Sequence, residues 1–413
     1  MWTPLLLLPI VSALGKLEPP AGKLLFGAWV DTSNAPVSGG DSHSAFNKRI
    51  GFNTGAFQVW QMLPPRPVHD GPPDYDAVNH NPDGTINLSI LNEGTNASIF
   101  LTVYPTGIMN ITDSHLTDLA NQCNSITTTT KRDLFLRFAP EMNGDWFIYG
   151  QKPTEFIDLW KRMHTILNNI APQVPIVWSP NYNGPPNQEP YDPYWPGTEF
   201  VDWVGISVYW KGSVNDYPWT HNTLSPTDYA AQLIDAKGSE GGPISFYNQF
   251  AVRYNKPMVI SESASTFHVG VLDPATGIST PLDAGVGRVE TIMSFWNSFL
   301  FNPTFLQSYP QIKMFFCFEM YKVEDRFTQN DYRATTDPET LAAFVAGLKK
   351  LDASRAVLWA QVPVNKTSAT AVTTAIARTR VVESTEGAKS GNVLGQCSGA
   401  VFGLSTLFLT VFL

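Results

Sequence analysis

Two glutamates stand where a chain of this kind could do chemistry. One apolar run ends in Arg137-Phe138-Ala139-Pro140-Glu141-Met142-Asn143-Gly144-Asp145-Trp146-Phe147, and another ends in Val259-Ile260-Ser261-Glu262-Ser263. Each sets a carboxylate just past a segment that reads as a buried strand. A pair of carboxylates facing one cleft suits cleavage of a glycosidic bond, in which one acid protonates the leaving oxygen while the other group attacks the anomeric carbon or activates water. A lone glutamate at a strand end more often caps a loop or pairs with an arginine. Two at matching ends, with aromatic residues beside them, tip the balance towards catalysis.

Other chemistries lack their residues. No G-x-S-x-G elbow marks a serine nucleophile. The seven histidines are scattered, without H-E-x-x-H spacing. His43, His164 and His268 therefore read as loop or surface residues, and no metal is expected. No G-x-G-x-x-G or Walker loop is present, so no cofactor is expected either.

The elements that would position the pair recur along the chain. Apolar runs cover 24–30, 56–63, 98–104, 133–139, 175–179, 203–210, 257–261 and 312–318. Several are almost continuously apolar, as strands buried on both faces are. Helix-like stretches at 113–130, 154–170, 286–300 and 338–351 fall between or after them, with Asp113 and Thr154 at N-cap positions. Eight β-then-α units predict a single (β/α)8 TIM barrel over residues 22–352. Its active site would lie where strands end and βα loops begin, and the fourth and seventh strands face each other across that mouth. Trp60, Trp178, Trp203 and Trp210 lie near strand ends or inside strands. Some should stack on a bound ligand, with core packing the expectation for Trp203.

Three segments carry a family likeness. RFAPEMNGDWFIYG resembles the acid/base segment of glycoside hydrolase family 26, VDWVGISVYW resembles its sixth strand, and KPMVISESAS resembles its nucleophile strand. Order and spacing agree, and the resemblance extends over roughly 24–351. It implies a retaining hydrolase of β-linked polysaccharide of the endo-β-mannanase type. Glu141 would be the acid/base and Glu262 the nucleophile. Tyr209 would hydrogen-bond the nucleophile, and Arg137 would hold the carboxylates. Asn143, Trp146 and Phe147 would shape the sugar subsites. Pro140 stands where the family usually has His, and Phe316 and Phe318 stand where many barrel glycosidases have a Trp platform, so Phe316 is a further candidate sugar contact. Glu319 ends the eighth run, either as a substrate contact or in a loop ion pair. A non-catalytic glycan-binding wall protein, and a wall transglycosylase or β-glucanase on the same fold, are the alternatives.

Bulk properties fit a neutral polymer as substrate. The formal net charge is −9 and no basic run occurs, which argues against a nucleic-acid partner and against docking on anionic lipid. A monomer is expected. Cys123, Cys317 and Cys397 lack zinc or redox spacing. Cys123 and Cys317 are open to bridging or to being buried free thiols.

The two ends read as addresses. Residues 1–15 look like a secretory signal peptide, although without a basic residue at the start. Residues 353–391 read as a Ser/Thr/Ala-rich, O-glycosylated stalk, and 392–413 as a glycosylphosphatidylinositol anchor signal that is removed. Sequons begin at Asn87, Asn96, Asn110 and Asn365. A secreted glycoprotein held at the plasma membrane or cell wall by lipid alone is the expectation.

Overall fold

The computed structural model describes residues 14–35, 39–70, 75–183, 189–217, 219, 221–282, 285–354 and 356–363. Within it, β1 (Leu24–Val30), β2 (Ala56–Leu63), β3 (Ser98–Pro105), β4 (Leu134–Phe138), β5 (Ile176–Trp178), β6 (Trp203–Trp210) and β7 (Met258–Ser265) run parallel and pair in sequence order. After β8 (Phe267–Leu272) and β9 (Ser279–Pro281), β10 (Ile312–Glu319) pairs with β7 on one side and β1 on the other, Leu25 opposite Met314 through Val30 opposite Glu319. That closes an eight-stranded parallel barrel. Its connections carry α1 (His43–Ile50), α2 (Asp113–Thr130), α3 (Pro153–Ile170), α4 (Tyr229–Asp235), α5 (Arg288–Ser298) and α6 (Pro303–Ser308), with α7 (Pro338–Ala353) following β10. The fold is the (β/α)8 TIM barrel that the alternating runs predict.

Strand alternation sorts the side chains. One set packs outward against helices, including Phe26, Ile99, Leu136 and Ile260. The other fills the barrel: Ala56, Phe100, Phe135, Val177, Trp203, Val259, Met314 and Phe316 form a plug drawn from seven strands. The first strand contributes a glycine, because a Cβ on Gly27 would lie 2.3 Å from the Phe316 ring. Phe316 is thus the barrel's packing and not a sugar contact. Trp203 packs edge-on to Phe135 at 5.2 Å, as its sequence context suggested. Truncating a ring in such a plug to a methyl group costs about 3–5 kcal/mol.

Helix ends differ from expectation by a residue or two. Thr112, not Asp113, caps α2, in a box with His115. Pro153 opens α3 without a side-chain cap, so Thr154 is already helical. His43 and His268 are buried at 1% and 2% exposure rather than lying at the surface. Cys123 and Cys317 are both free and buried.

Two features were not anticipated. β8 and β9 join β11 (Tyr321–Glu324) and β12 (Thr328–Asp331) in a four-stranded antiparallel sheet, built from the connections that leave β7 and β10. And the barrel takes in part of the expected stalk. β13 (Val357–Leu358) pairs with β1, and Trp359 stacks on Phe52 at 4.4 Å. The remaining stalk, the signal peptide and the anchor signal lie outside the described residues. Among the described residues, no helix is long and apolar enough to cross a membrane.

Candidate active site

The carboxylate pair sits at the C-terminal mouth of the barrel, and Arg137 sits between the two. Arg137 is the second lumen-facing residue of β4, one layer above Phe135, and has no solvent exposure. Its Nη1 donates to Oε1 of Glu262. Its Nη2 donates to Oγ of Ser207 at 3.1 Å and lies 4.0 Å from Oε1 of Glu141. Its Nε donates to Oγ of Ser179 at 3.2 Å. One planar guanidinium therefore faces both carboxylates, the geometry for which arginine is suited.

Glu262 lies inside β7, not past its end. The strand carries one extra residue there: Ile206 of β6 pairs with Ile260, but Ser207 pairs with Glu262. The same slip appears against β10, between Phe315 and Cys317. Such a bulge re-aims side chains. Ser261 and Glu262 both face the lumen, Ser261 Oγ lying 2.9 Å from Ser179 Oγ while Glu262 meets Arg137. Tyr209 Oη donates to Oε2 of Glu262 at 2.5 Å.

Glu141 lies in the loop after β4, on a backbone turned left-handed at both Ala139 (φ 46°) and Glu141 (φ 54°). The Glu141 amide donates to the Ser179 carbonyl at 2.7 Å, and Tyr149 Oη donates to the Pro140 carbonyl at 2.7 Å. The residue is 8% exposed, and its carboxylate accepts three donors: Ser207 Oγ at 2.6 Å, Asn181 Nδ2 at 3.1 Å and Trp146 Nε1 at 3.0 Å. Gly144 makes the last of these possible, since a Cβ there would lie 2.3 Å from the Trp146 ring. Burial, and then the charge of Glu262, raise the Glu141 pKa above its ordinary value, against the pull of Arg137, Ser207 and Asn181. Trp146→Phe removes a donor that favours the ionised form. Glu141 should then hold its proton to higher pH, so the basic limb of the pH–rate profile of Trp146→Phe moves upward while its plateau falls less than about tenfold.

The other expected contacts divide. Phe147 joins Tyr104 at 5.2 Å, and Tyr104 joins Trp60 at 5.8 Å, so an aromatic row runs from β2 across to the loop that bears Glu141. Asn143 is fully buried and committed to the backbone: its Oδ1 accepts from the Asn181 amide at 2.8 Å and its Nδ2 donates to the Asn181 carbonyl at 3.0 Å. It supports Asn181 and, through it, Glu141, and is not placed to touch sugar. Trp178 and Trp210 face the helices. Trp178 is packed among Trp195, Phe246 and Phe250 and donates to the Tyr194 carbonyl, while Trp210 packs on Tyr229 and donates to the Thr223 carbonyl. Glu319 is 1% exposed and accepts from the Ala334 and Thr335 amides, a loop anchor and not a substrate contact.

Several site residues escape sequence reading. Ser179, Asn181 and Ser207 are small and polar, and only their lumen-facing positions mark them. Trp29 is half-buried on β1 and packs edge-on to Phe318, which packs edge-on to Tyr209. Its signal was alternation: it shares a face with Leu25 and Gly27.

A barrel with two carboxylates converging on one arginine at its C-terminal mouth is the working centre of a glycoside hydrolase, and that is what this protein is. Residues 92–257 match the model of glycosyl hydrolase family 26. The match includes the Glu141 loop and β6 and stops one residue short of β7, so Glu262 lies outside it; the likeness read from sequence was wider. No curated protein sequence matches the chain. Among solved structures, a modular endo-β-1,4-mannanase from Cellulomonas fimi is similar at 13% identity, covering 83% of this chain and 74% of that one, with a TM-score of 0.53. A family 26 β-mannanase from Bacteroides ovatus is similar at 14% identity, covering 82% and 90%, with a TM-score of 0.47.

Proposed function

We propose that the protein is a retaining endo-glycosidase of β-linked polysaccharide, with β-1,4-mannan the first candidate. The observation that carries this is the unequal setting of the two carboxylates around Arg137. Glu262 receives a guanidinium and a phenol, donors that favour a charged nucleophile. Glu141 is crowded by burial and by its partner's charge, which keeps a proton available for the leaving oxygen. Glu262 attacks the anomeric carbon as Glu141 passes its proton to the departing sugar. Glu141 then takes a proton from water, which attacks and releases Glu262. One guanidinium facing both groups favours the close spacing of retaining enzymes over the wider gap that a water needs between them. The similarity to the Cellulomonas fimi endo-β-1,4-mannanase supports mannan.

The test is a panel of β-mannan, xylan, β-1,3-glucan and mixed-linkage glucan, with soluble products resolved by chromatography. Release of oligosaccharides from β-mannan, with the anomeric configuration kept in the first product, is the expected result. Products from another polymer alone would replace mannan, and inverted products would remove the nucleophile role. We further propose secretion and a lipid anchor, on the sequence of the two ends. Release of the cell-surface protein by a phosphatidylinositol-specific phospholipase checks the anchor, and retention after treatment would overturn it.

A further inference from the structure

The antiparallel sheet beside the mouth holds a buried carboxylate that the proposed reaction does not use. Glu324, at the end of β11, has a side chain 7% exposed. Its Oε2 accepts from Tyr332 Oη at 2.5 Å, Asn330 Nδ2 at 2.9 Å and Lys211 Nζ at 3.1 Å. Burial opposes its ionisation, but Lys211 and Lys322, with the Tyr332 and Asn330 donors, bring its pKa down to about 2. His268 braces the group. Its Nδ1 lies 2.7 Å from Asn330 Oδ1 and its Nε2 lies 2.7 Å from the Lys211 carbonyl oxygen.

The cluster ends on the catalytic side. Lys211 directly follows β6, two residues after Tyr209. The Tyr332 ring meets the Tyr209 ring at 5.5 Å and 65°, and Phe318 meets both, at 5.5 Å and 5.6 Å. Tyr229 Oη fixes the backbone below by donating to the Tyr209 carbonyl at 2.6 Å. Tyr209 is therefore held by two rings and by its own carbonyl, with its hydroxyl on Glu262.

Resting on the glycosidase reading above, we propose that Glu324 is a positioning residue for the reaction: it gathers Lys211, Asn330 and Tyr332 on one carboxylate and so fixes the ring cage that aims the Tyr209 hydroxyl at Glu262. A buried carboxylate that gathers three donors on one oxygen orients its partners more than it stabilises the fold. Tyr332 carries the effect through its ring, with its hydroxyl tied to Glu324.

The experiment compares the wild type with Tyr209→Phe, Glu324→Gln, Tyr332→Phe and the double variant Tyr209→Phe/Glu324→Gln. Two quantities are read: the chemical shift of the Glu262 carboxyl carbon by NMR at one fixed pH in protein labelled at glutamate Cδ, and kcat and KM on β-mannan. In Glu324→Gln and Tyr332→Phe, the Glu262 carboxyl resonance should move from its wild-type position towards the position it takes in Tyr209→Phe. In the same variants kcat should fall about tenfold, as for one weakened hydrogen bond, with KM within about twofold. The double variant should be no slower than Tyr209→Phe alone, because without the hydroxyl there is nothing left to aim. An unmoved Glu262 carboxyl resonance in both single variants, or additive losses in the double variant, would overturn the proposal. A wild type that cleaves no mannan would count against the substrate reading alone, since the Glu262 carboxyl resonance reads the relay without turnover.

Discussion

Glu262→Ala should lose turnover by on the order of 10⁴-fold or more, the scale set by removing a covalent nucleophile elsewhere. No neighbour can take its place. Glu141 is held across the site by Ser207, Asn181 and Trp146, and Tyr209 faces Glu262 through the hydroxyl that serves it. Folding should survive, because Arg137 keeps Glu141 at 4.0 Å and the hydroxyls of Ser179 and Ser207. The diagnostic comparison is Glu141→Ala. An acid is needed only in proportion to how poor the leaving group is, so that variant should keep far more activity on an aryl glycoside with an acidic phenol than on mannan. Glu262→Ala should lose both. Steady-state rates on the two substrates read this directly. Equal losses in the two variants on both substrates would remove the division of roles.

Arg137→Met should be the most destabilising single change at the site, by about 3–5 kcal/mol, the usual range when one partner of a buried ion pair is removed. Methionine fills much of the space but offers no donor. The change strands Glu262 and Glu141 beside each other and leaves the Ser179 and Ser207 hydroxyls short of a partner. The deficit should depend on pH with a definite sign. Burial and the charge of Glu262 already raise the folded-state pKa of Glu141, and without the guanidinium it climbs further, so the folded protein holds more protons. Its stability is then best at acid pH and is lost as pH rises through the raised Glu141 value. Urea unfolding of wild type and variant at pH 5 and pH 7.5 should show the larger gap at pH 7.5. A gap independent of pH would mean that Arg137 acts through packing and not through charge.

Much of the barrel was legible in the sequence for a simple reason. Strands buried on both faces must be almost wholly apolar, so the eight runs stand out, and their boundaries fall within a few residues of those observed. The same property hid which face each residue takes. Trp178 and Phe316 both sit in apolar strands, yet one packs on helices and the other plugs the lumen. Residue type alone does not separate these. Only alternation counted from a known residue does, and the bulge in β7 breaks that count at Glu262. The Glu141 loop was easier, because its residues act on one another locally: Gly144 and Trp146 lie within five residues of the carboxylate they shape. Asn181, Ser207 and Tyr332 reach the site across distances in sequence of tens of residues, and no local pattern marks them. The antiparallel sheet was missed for a related reason. Its strands are short, and three of them are largely exposed or half-exposed, so they carry little hydrophobic signal.

The left-handed backbone at Ala139 and Glu141 has a consequence for how this protein ages under heat. A side chain at such an angle costs on the order of 1–2 kcal/mol relative to glycine. At Glu141 the backbone strain is compounded by a carboxyl packed beside a second one in a dry pocket. The residue that supplies the acid is therefore among those the fold tolerates least. A chain with glycine in place of Glu141 would gain backbone relief there that offsets part of what is lost with the Ser207, Asn181 and Trp146 hydrogen bonds, so the durability of a relative lacking this acid says nothing about its fitness as a catalyst.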